Sequence, residues 1–176
     1  IFVQVALTNG LGKSIQEIMK PRTEGEKKYD TATFYSISNC QEGLSRVTLG
    51  NFLIKRVVYE IQEELPNIKN FGTLSPIPGF RDWLTTLDET IIQSILGKTP
   101  YSNISFLKNS NLKIGDGRIV SNKNAIIKLV GHYLINEKNK KDLPINDVCR
   151  FHLGNGAIID DIVINANVSE VGFNRS

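Results

Sequence analysis

The chain has 176 residues, of which 40% are hydrophobic and 22% are charged, and these values are typical of one globular domain with a sizeable core. The formal net charge of +3 gives no argument for a nucleic-acid partner, although it suits an anionic ligand. Because the sequence contains no run of about 18 apolar residues, no membrane-spanning helix is predicted.

The two cysteines, Cys40 and Cys149, lie far apart and lack the spacing of a metal site. Their separation favours two reduced thiols in an intracellular protein, with a disulfide between them as the alternative. The chain opens within a strand-like pattern, without a methionine or a targeting peptide, and closes without a terminating feature. We therefore expect the chain to be part of a longer protein, truncated at both ends.

The first part of the chain contains two predicted strands and one strong helix. Residues 2–8 and 31–38 alternate and are rich in strand formers. Between them, Ser14 is predicted to cap a short amphipathic stretch that ends at Met19. Residues 51–65 have the strongest helical pattern. Their apolar side chains recur at helical spacing and share one face: Ile54, Val57, Val58, Ile61 and Leu65.

The middle of the chain alternates between clear and unclear patterns. Pro66 ends the long helix, and residues 68–74 form a third predicted strand. Residues 81–96 and 124–136 have helical patterns. Residues 97–123 show no clear period and are rich in turn formers, so we interpret them as an excursion from the core.

Near the end of the chain, a short helix and a strand are predicted. Asn146 or Asp147 is expected to cap a helix that carries His152. Residues 157–168 alternate and predict a closing strand. The sequence shows no internal repeat, so residues 1–176 are predicted to form one α/β (α+β) domain with a central mixed sheet flanked by helices.

The passage from the second strand into the long helix is the first place where chemistry is indicated. A strand ends, a glycine-containing loop turns, and a helix begins with its first amides free. These amides and the positive end of the helix dipole can bind a phosphate or pyrophosphate. Arg46 lies in the loop, and Lys55 and Arg56 follow in the helix. The alternative is a solvated connection without a ligand. The loop carries neither a Walker A motif nor the GxGxxG fingerprint.

This strand–loop–helix segment resembles the coenzyme A segment of the GNAT acyltransferase fold. In the stretch SRVTLGN, Ser45 and Thr48 stand where the GNAT pattern prefers glutamine or arginine and glycine, whereas Gly50 fits. The resemblance implies that the end of the strand, the loop and the first helical residues hold coenzyme A. The residues that it implies are Ser38, Ser45, Arg46, Val47, Thr48, Leu49 and Gly50.

A second segment, FGTLSPIPGFRDWL, is more specific than the loop. Pro76 and Pro78 flank Ile77 and stiffen the backbone directly after Ser75, at the carboxyl end of the third predicted strand. Such a rigid exit from a sheet can hold a hydroxyl group in a fixed position. The alternative is an ordinary strand-ending turn.

The motifs LSPIPGF and FHLGNGA, together with VALTNGLGKSIQEIM and TATFYSIS, resemble the malonyl-CoA decarboxylase family in collinear order. The resemblance covers nearly the whole chain and is weakest in residues 97–123. It implies a GNAT-like catalytic domain of a lyase in fatty acid metabolism, which converts malonyl-CoA to acetyl-CoA and carbon dioxide. The functional serine and histidine of the family fall on Ser75 and His152.

The same resemblance implies features of a full-length protein. It implies a helical N-terminal domain, a homo-oligomer and further sequence that includes a tyrosine near the active site. The expected locations are the mitochondrial matrix, peroxisome or cytosol of a eukaryote, or the cytoplasm of a bacterium. Neither a nucleic acid nor a membrane is expected as a partner.

The chemistry of this family gives each implied residue a role. Loss of carbon dioxide leaves an enolate, and backbone amides at the end of strand 31–38 are candidates to stabilise its oxygen. A hydrogen bond from Ser75 can hold the departing carboxylate out of the thioester plane. His152 can protonate the carbanion, because imidazole titrates near neutral pH. Asn155 either orients the substrate or His152, or serves only the turn.

Neither a metal nor a further cofactor is expected, since the thioester is the electron sink and coenzyme A is part of the substrate. His132 is interpreted as structural. The KNKK run at 138–141 is interpreted as a solvated loop, with a contact to the 3′-phosphate of coenzyme A as the alternative. Two other functions stay open: a GNAT-type acyl-CoA acyltransferase and a catalytically silent acyl-CoA-binding fragment.

Overall fold

A computed structural model gives the fold of residues 2–20, 29–38, 49–109 and 112–174. The chain divides into two compact units, Ile1–Ser75 and Pro76–Ser176, and the single domain predicted for residues 1–176 stays a prediction. The elements in chain order are β1 (Phe2–Thr8), α1 (Ile15–Ile18), β2 (Thr31–Ser38), α2 (Leu49–Glu64), β3 (Asn70–Thr73), α3 (Phe80–Thr86), α4 (Glu89–Leu96), 3-10 helices at Tyr101–Asn103 and Ser105–Lys108, α5 (Gly117–Ser121), α6 (Lys123–Ile135), α7 (Asp147–Gly154) and α8 (Glu170–Asn174).

The first unit is built on a three-stranded mixed sheet in the order β1-β2-β3. β1 runs antiparallel to β2, and β2 runs parallel to β3. A parallel pair needs a crossover connection, and α2 supplies it. The predicted apolar face of α2 packs against a core of Ala32, Phe34 and Ile68. The mixed α/β class and the first two strands are therefore confirmed, and the third strand is shorter than the predicted 68–74.

The short helix α1 begins as predicted. The Ser14 hydroxyl accepts a hydrogen bond from the amide of Glu17 at 3.4 Å, which is the N-cap arrangement that satisfies a free amide of the first turn. The helix ends after Ile18. The local sequence signal was sufficient here.

The second unit is helical and is organised around α6. Six side chains of α6 are buried, and they form the centre of the core of this unit: Ala125, Ile126, Leu129, Val130, Tyr133 and Leu134. The predicted helix at 124–136 is confirmed with a shift of one residue. The predicted helix at 81–96 is instead two helices, because Leu87 and Asp88 adopt extended backbone angles between α3 and α4.

Residues 97–123 were interpreted as an excursion from the core, and this interpretation is wrong for the described part. Ile104 is fully buried, and four further apolar side chains of this stretch join the core of the second unit: Phe106, Leu107, Leu112 and Ile119. The stretch uses 3-10 turns and the short helix α5, so its apolar residues follow no single helical period. Their burial could therefore not be predicted from their spacing in the sequence.

The closing strand predicted at 157–168 is also wrong, because these residues form neither a strand nor a helix. Ile162 and Ile164 pack against the core of the second unit, whereas Ile158 is 82% exposed. Asn165 has a φ of 57°, which turns the backbone out of the extended region. Among the described residues, no strand pairs with this segment. Its alternation and its β-branched residues favour a strand, but a strand also needs a hydrogen-bonded partner.

Within the described ranges, none of the helices is long and apolar enough to cross a membrane.

Candidate active site

Two of the predicted site residues lie at the carboxyl ends of the parallel strands, at the same edge of the sheet. β2 ends at Ser38, and β3 ends two residues before Ser75. Phe34 pairs with Thr73, and the amide of Leu74 donates to the carbonyl of Phe34 at 2.8 Å, so the ladder continues to the residue before Ser75. The carboxyl ends of parallel strands are the usual ligand-binding edge of an open α/β sheet.

The amino end of α2 lies at this carboxyl edge. α2 ends at Glu64, and the chain enters β3 at Asn70, so the carboxyl end of the helix lies at the opposite edge. Leu49 and Gly50 therefore begin a helix whose first amides have no partner within the helix. The remaining predicted coenzyme A-binding residues lie outside the described residues, and their role stays a prediction: Ser45, Arg46, Val47 and Thr48.

The two cations of α2 are less suited to a phosphate than their position in the sequence indicated. Arg56 pairs with Glu60 at 2.5 Å, and its guanidinium lies 5.8 Å from the centre of the Tyr59 ring. Both partners follow Arg56 in the helix, so the guanidinium is drawn towards the carboxyl end of α2 and away from its first turn. Lys55 is exposed.

The turn that follows Ser75 opens the second unit. Pro76 and Pro78 have no N–H groups, so the outside of the turn can be bound mainly through its carbonyl groups. The carbonyl oxygen of Pro78 accepts two hydrogen bonds, from the Tyr133 hydroxyl at 3.0 Å and from Nδ2 of Asn146 at 2.8 Å. The turn is therefore bound to α6 and to the amino end of α7.

Gly79 completes this turn and is the residue before α3. Its φ is 79°, in the left-handed region that favours glycine. A Cβ atom at this position would lie 2.9 Å from the hydroxyl oxygen of Tyr133. Both the backbone angle and the close approach of Tyr133 therefore require glycine.

The helix α7 begins with the predicted cap. Oδ1 of Asn146 accepts a hydrogen bond from the amide of Cys149 at 2.8 Å, and Asn146 is only 2% exposed. Asp147 in the first turn forms an ion pair with Arg150 on the next turn. An acidic residue in the first turn and a capping amide both stabilise the amino end of a helix.

His152 lies in the last turn of α7 and is half-buried. The ring of Phe151 meets its imidazole edge-on, with ring centres 5.1 Å apart. Burial lowers the pKa of His152 below its usual value, because a buried site disfavours the charged imidazolium. Near neutral pH the imidazole is therefore mainly neutral, and its protonated form is a stronger acid than a solvated imidazolium.

Asn155 closes this helix. Its Nδ2 donates to the carbonyl of Phe151 at 2.7 Å, and its backbone amide donates to the carbonyl of His152 at 3.0 Å. The amide of Ala157 also donates to the carbonyl of His152, at 3.1 Å. The turn-forming role expected for Asn155 is therefore observed, whereas a contact with substrate stays a prediction.

The second histidine has a different environment. The ring of His132 stacks on Trp83 with ring centres 6.1 Å apart, and its Nε2 lies 3.7 Å from Oε1 of Glu137. These contacts fit the structural role that the sequence indicated. Among the described residues, no group of three or more His, Cys, Asp and Glu residues lies together as a metal site would require.

Cys149 is a buried free thiol in the described part of the chain. Burial raises the pKa of this thiol, so the group stays protonated at neutral pH. Its Sγ donates weakly to the carbonyl of Leu134 at 3.7 Å. The other cysteine, Cys40, lies outside the described residues.

Sequence reasoning found Asn146 as a cap but missed what its second polar atom does. It also missed the contact of Tyr133. Both side chains meet a carbonyl group, that of Pro78, which lies 68 and 55 residues away along the chain. A backbone carbonyl leaves no signal in a residue pattern. One indication of these contacts was present in the sequence: the carbonyl groups of a turn with two prolines need hydrogen-bond donors from elsewhere in the chain.

Comparison with known proteins identifies the family. The family model described as "Malonyl-CoA decarboxylase C-terminal domain" matches residues 1–176. A mitochondrial malonyl-CoA decarboxylase of Anser anser anser is 40% identical over 179 residues, which cover 89% of this chain and 35% of that protein. The mitochondrial enzyme of Mus musculus is 34% identical and covers 100% of this chain and 40% of its own length.

Two solved structures have the same fold. A malonyl-CoA decarboxylase from Rhodopseudomonas palustris superposes with a TM-score of 0.82 at 35% identity, covering 98% of this chain and 40% of that one. The corresponding protein from Agrobacterium vitis has a TM-score of 0.84 at 32% identity, over 99% of this chain and 43% of that one. The chain thus spans about two fifths of the length of these relatives, for example 40% of the Mus musculus enzyme and 40% of the Rhodopseudomonas palustris chain. It belongs to the malonyl-CoA decarboxylase family and corresponds to the C-terminal domain of that family.

Proposed function

We propose that this domain catalyses the decarboxylation of malonyl-CoA to acetyl-CoA and carbon dioxide. The observation that carries the proposal is the match of the family model to residues 1–176, which include both FHLGNGA and LSPIPGF. The environment of His152 supports it, because a half-buried imidazole with a lowered pKa suits proton transfer near neutral pH.

The bond-breaking step needs the carboxylate to be oriented without being strongly stabilised. Ser75, held at the rigid end of β3, donates a hydrogen bond to the malonyl carboxylate in this proposal. The bond between the α-carbon and the carboxylate breaks, its electron pair moves into the thioester, and carbon dioxide leaves. A hydroxyl suits this task, because a strong ion pair would stabilise the charge that must leave the carboxylate.

The second step is protonation of the α-carbon. His152 donates the proton to the enolate, acetyl-CoA results, and the neutral imidazole regains a proton from water. In the free domain the lowered pKa leaves His152 mainly neutral. Arrival of the negatively charged malonyl group favours the imidazolium, since an opposite charge nearby raises the pKa of an imidazole. Binding of the substrate thus promotes protonation of His152, which is the acid of this step.

Coenzyme A is held, in this proposal, at the carboxyl edge of β2 and β3 and the amino end of α2. Backbone amides at Ser38 and at the first turn of α2 are the donors, with Ser45, Arg46, Val47 and Thr48 of the connecting loop, and Leu49 and Gly50 at the start of the helix. Asn155 orients the imidazole by fixing the end of α7. The reaction needs no further cofactor, because the thioester accepts the electron pair.

The relatives also bear on assembly and location. The names of the goose and mouse proteins state that those enzymes are mitochondrial. We propose an intracellular, mitochondrial location for a eukaryotic source, and a homo-oligomer for the full-length protein.

The test is formation of acetyl-CoA. The purified chain, and the protein at the full length of its relatives, are incubated with malonyl-CoA, and acetyl-CoA and carbon dioxide are followed together. We expect one acetyl-CoA for each malonyl-CoA consumed, at least in the longer form. Transfer of the malonyl group to an amine or thiol, or no turnover in the longer form, would overturn the proposal.

Ser75→Ala should lower turnover by more than about tenfold, because the carboxylate loses its orienting donor. The matched control is Ser121→Ala, which removes an exposed hydroxyl that donates to the carbonyl of Gly117 at 3.1 Å. Both variants should still unfold in a cooperative denaturant transition, which shows that they are folded. Wild-type turnover in a folded Ser75→Ala protein would remove Ser75 from the mechanism.

A further inference from the structure

We infer that Asn146 is a positioning residue for His152, acting through a clamp in which it and Tyr133 bind the carbonyl oxygen of Pro78. The inference rests on the proposed function, since it assigns to Asn146 the task of placing the proton donor of that reaction. All three members of this Pro78 clamp lie in the second unit.

The first argument is that Asn146 uses both polar atoms of its amide in different directions. Its Oδ1 caps α7 through the amide of Cys149 at 2.8 Å, and its Nδ2 donates to Pro78 at 2.8 Å. Only this orientation of the amide satisfies both groups, because the opposite one would set donor against donor and acceptor against acceptor. Asn146 is 2% exposed, so water cannot replace either bond readily. An ionised aspartate would cap the helix but would not supply the second donor.

The second argument is that α7 buries few of its side chains. Among the described residues, Cys149 is the only one of α7 that is buried. A helix of eight residues with so little buried surface depends on its ends for its position. The Pro78 clamp fixes the amino end, and Asn155 closes the end that carries His152. The direction of the helix axis, and with it the position of the imidazole, therefore depends on the clamp.

The third argument is that the bound turn is rigid. Pro76 and Pro78 restrict its backbone, and Ile77 packs against the core of the second unit. Tyr133, which is 5% exposed, supplies the second donor to the same oxygen from the central helix α6. The clamp can position α7 only if the groups that it binds are themselves fixed. Here the turn at Pro78 and the core helix α6 are both fixed, and together they hold the amino end of α7.

The experiment compares variants that keep the cap and remove a donor. Asn146→Asp keeps an acceptor for the Cys149 amide and, when ionised, has no N–H for Pro78. Tyr133→Phe removes the other donor with little change of shape and no change of charge. Displacements of about 1 Å at a catalytic group can cost on the order of 100-fold in rate. We expect kcat to fall at least about fivefold in Asn146→Asp and further in the double variant, with KM for malonyl-CoA nearly unchanged.

The matched control is Asp116→Ala. Asp116 caps α5 through the amide of Arg118 at 2.9 Å, in the same unit, and it is not a member of the Pro78 clamp. This variant should lose a comparable amount of stability while kcat stays within about twofold of the wild-type value. The comparison separates positioning of His152 from a general loss of stability.

A second measurement does not depend on turnover. The His152 imidazole is titrated by NMR in the wild type and in Tyr133→Phe, which adds no charge. Loosening of α7 should move the midpoint of this titration up, towards that of a solvated histidine, because burial holds it down. The inference is overturned if the folded donor variants keep kcat and the His152 midpoint at wild-type values. A wild-type protein that makes no acetyl-CoA would instead overturn the proposed function, and the titration would still decide whether the clamp positions His152.

Discussion

The helices α6 and α7 each carry one of the two histidines of the chain, but they differ in how they are held. α6 buries six side chains, and its His132 is fixed by stacking on Trp83. α7 has one buried residue, and its His152 lies at a turn closed by hydrogen bonds. Packing thus places the first histidine, whereas polar contacts at the helix ends place the second. In the proposed function, this difference separates a histidine that stabilises the second unit from the histidine that donates the proton.

The strongest test of this contrast uses core substitutions. Leu129→Ala, at a fully buried position of α6, should lower the free energy of unfolding by about 2–5 kcal/mol, because it removes apolar contacts and leaves a cavity. Leu153→Ala on α7 is the matched change, and since Leu153 is 37% exposed it should cost less than about 1 kcal/mol. Denaturant unfolding measures both. Equal losses would mean that α7 contributes to the core as α6 does.

The second test concerns activity. His152→Ala should lower turnover by more than about tenfold, since proton transfer by a positioned side chain is typically worth on the order of 10²–10⁴ in rate. His132→Ala should leave turnover within about twofold, because its contacts are to Trp83 and Glu137. Initial rates with malonyl-CoA, at saturating concentration, are the measurement. The roles would be exchanged if His132→Ala were the slower variant.

The smallest expected effect is the dependence of stability on pH. Burial depresses the pKa of His152 in the folded state below the unfolded value of about 6.5, so the unfolded chain binds the proton more readily. The free energy of unfolding should therefore fall as the pH falls from about 6.5 through the lower folded pKa. His152→Gln should flatten this part of the curve. Urea unfolding at a series of pH values measures the slope, and an unchanged slope in His152→Gln would contradict the expected direction.

Local patterns predicted the parts of the fold that depend on local structure. The apolar face of α2 and the cap at Ser14 came directly from spacing and residue type, and the structure shows both. For α7 the sequence predicted Asn146 or Asp147 as the cap, and the structure shows Asn146. Residues 157–168 have the same alternation as β1 but no partner strand in the described part of the chain, so propensity alone misassigned them. Burial of Ile104 and Ile119 depends on irregular turns that have no periodic signature.

In the candidate site, too, local features were predicted and long-range contacts were not. Ser75 and His152 were predicted as site residues from the family resemblance of their motifs, and their catalytic roles stay predictions. Their local settings, directly after a strand and within a short helix, are those that the sequence indicated. The Pro78 clamp was not predicted, because it joins a backbone carbonyl to side chains that lie far along the chain. Residue patterns report what a side chain is, and they carry little information about which distant carbonyl it will meet.

The Pro78 clamp also has a consequence for the order of folding. Its bond to Asn146 spans 68 residues, so it closes a long loop and carries the entropic cost of doing so. Contacts of such separation form late relative to the turns of α6 and α7, which need only neighbouring residues. The helix that carries His152 is therefore expected to exist before it is correctly placed. A refolding chain should regain its helical signal first and its catalytic competence afterwards.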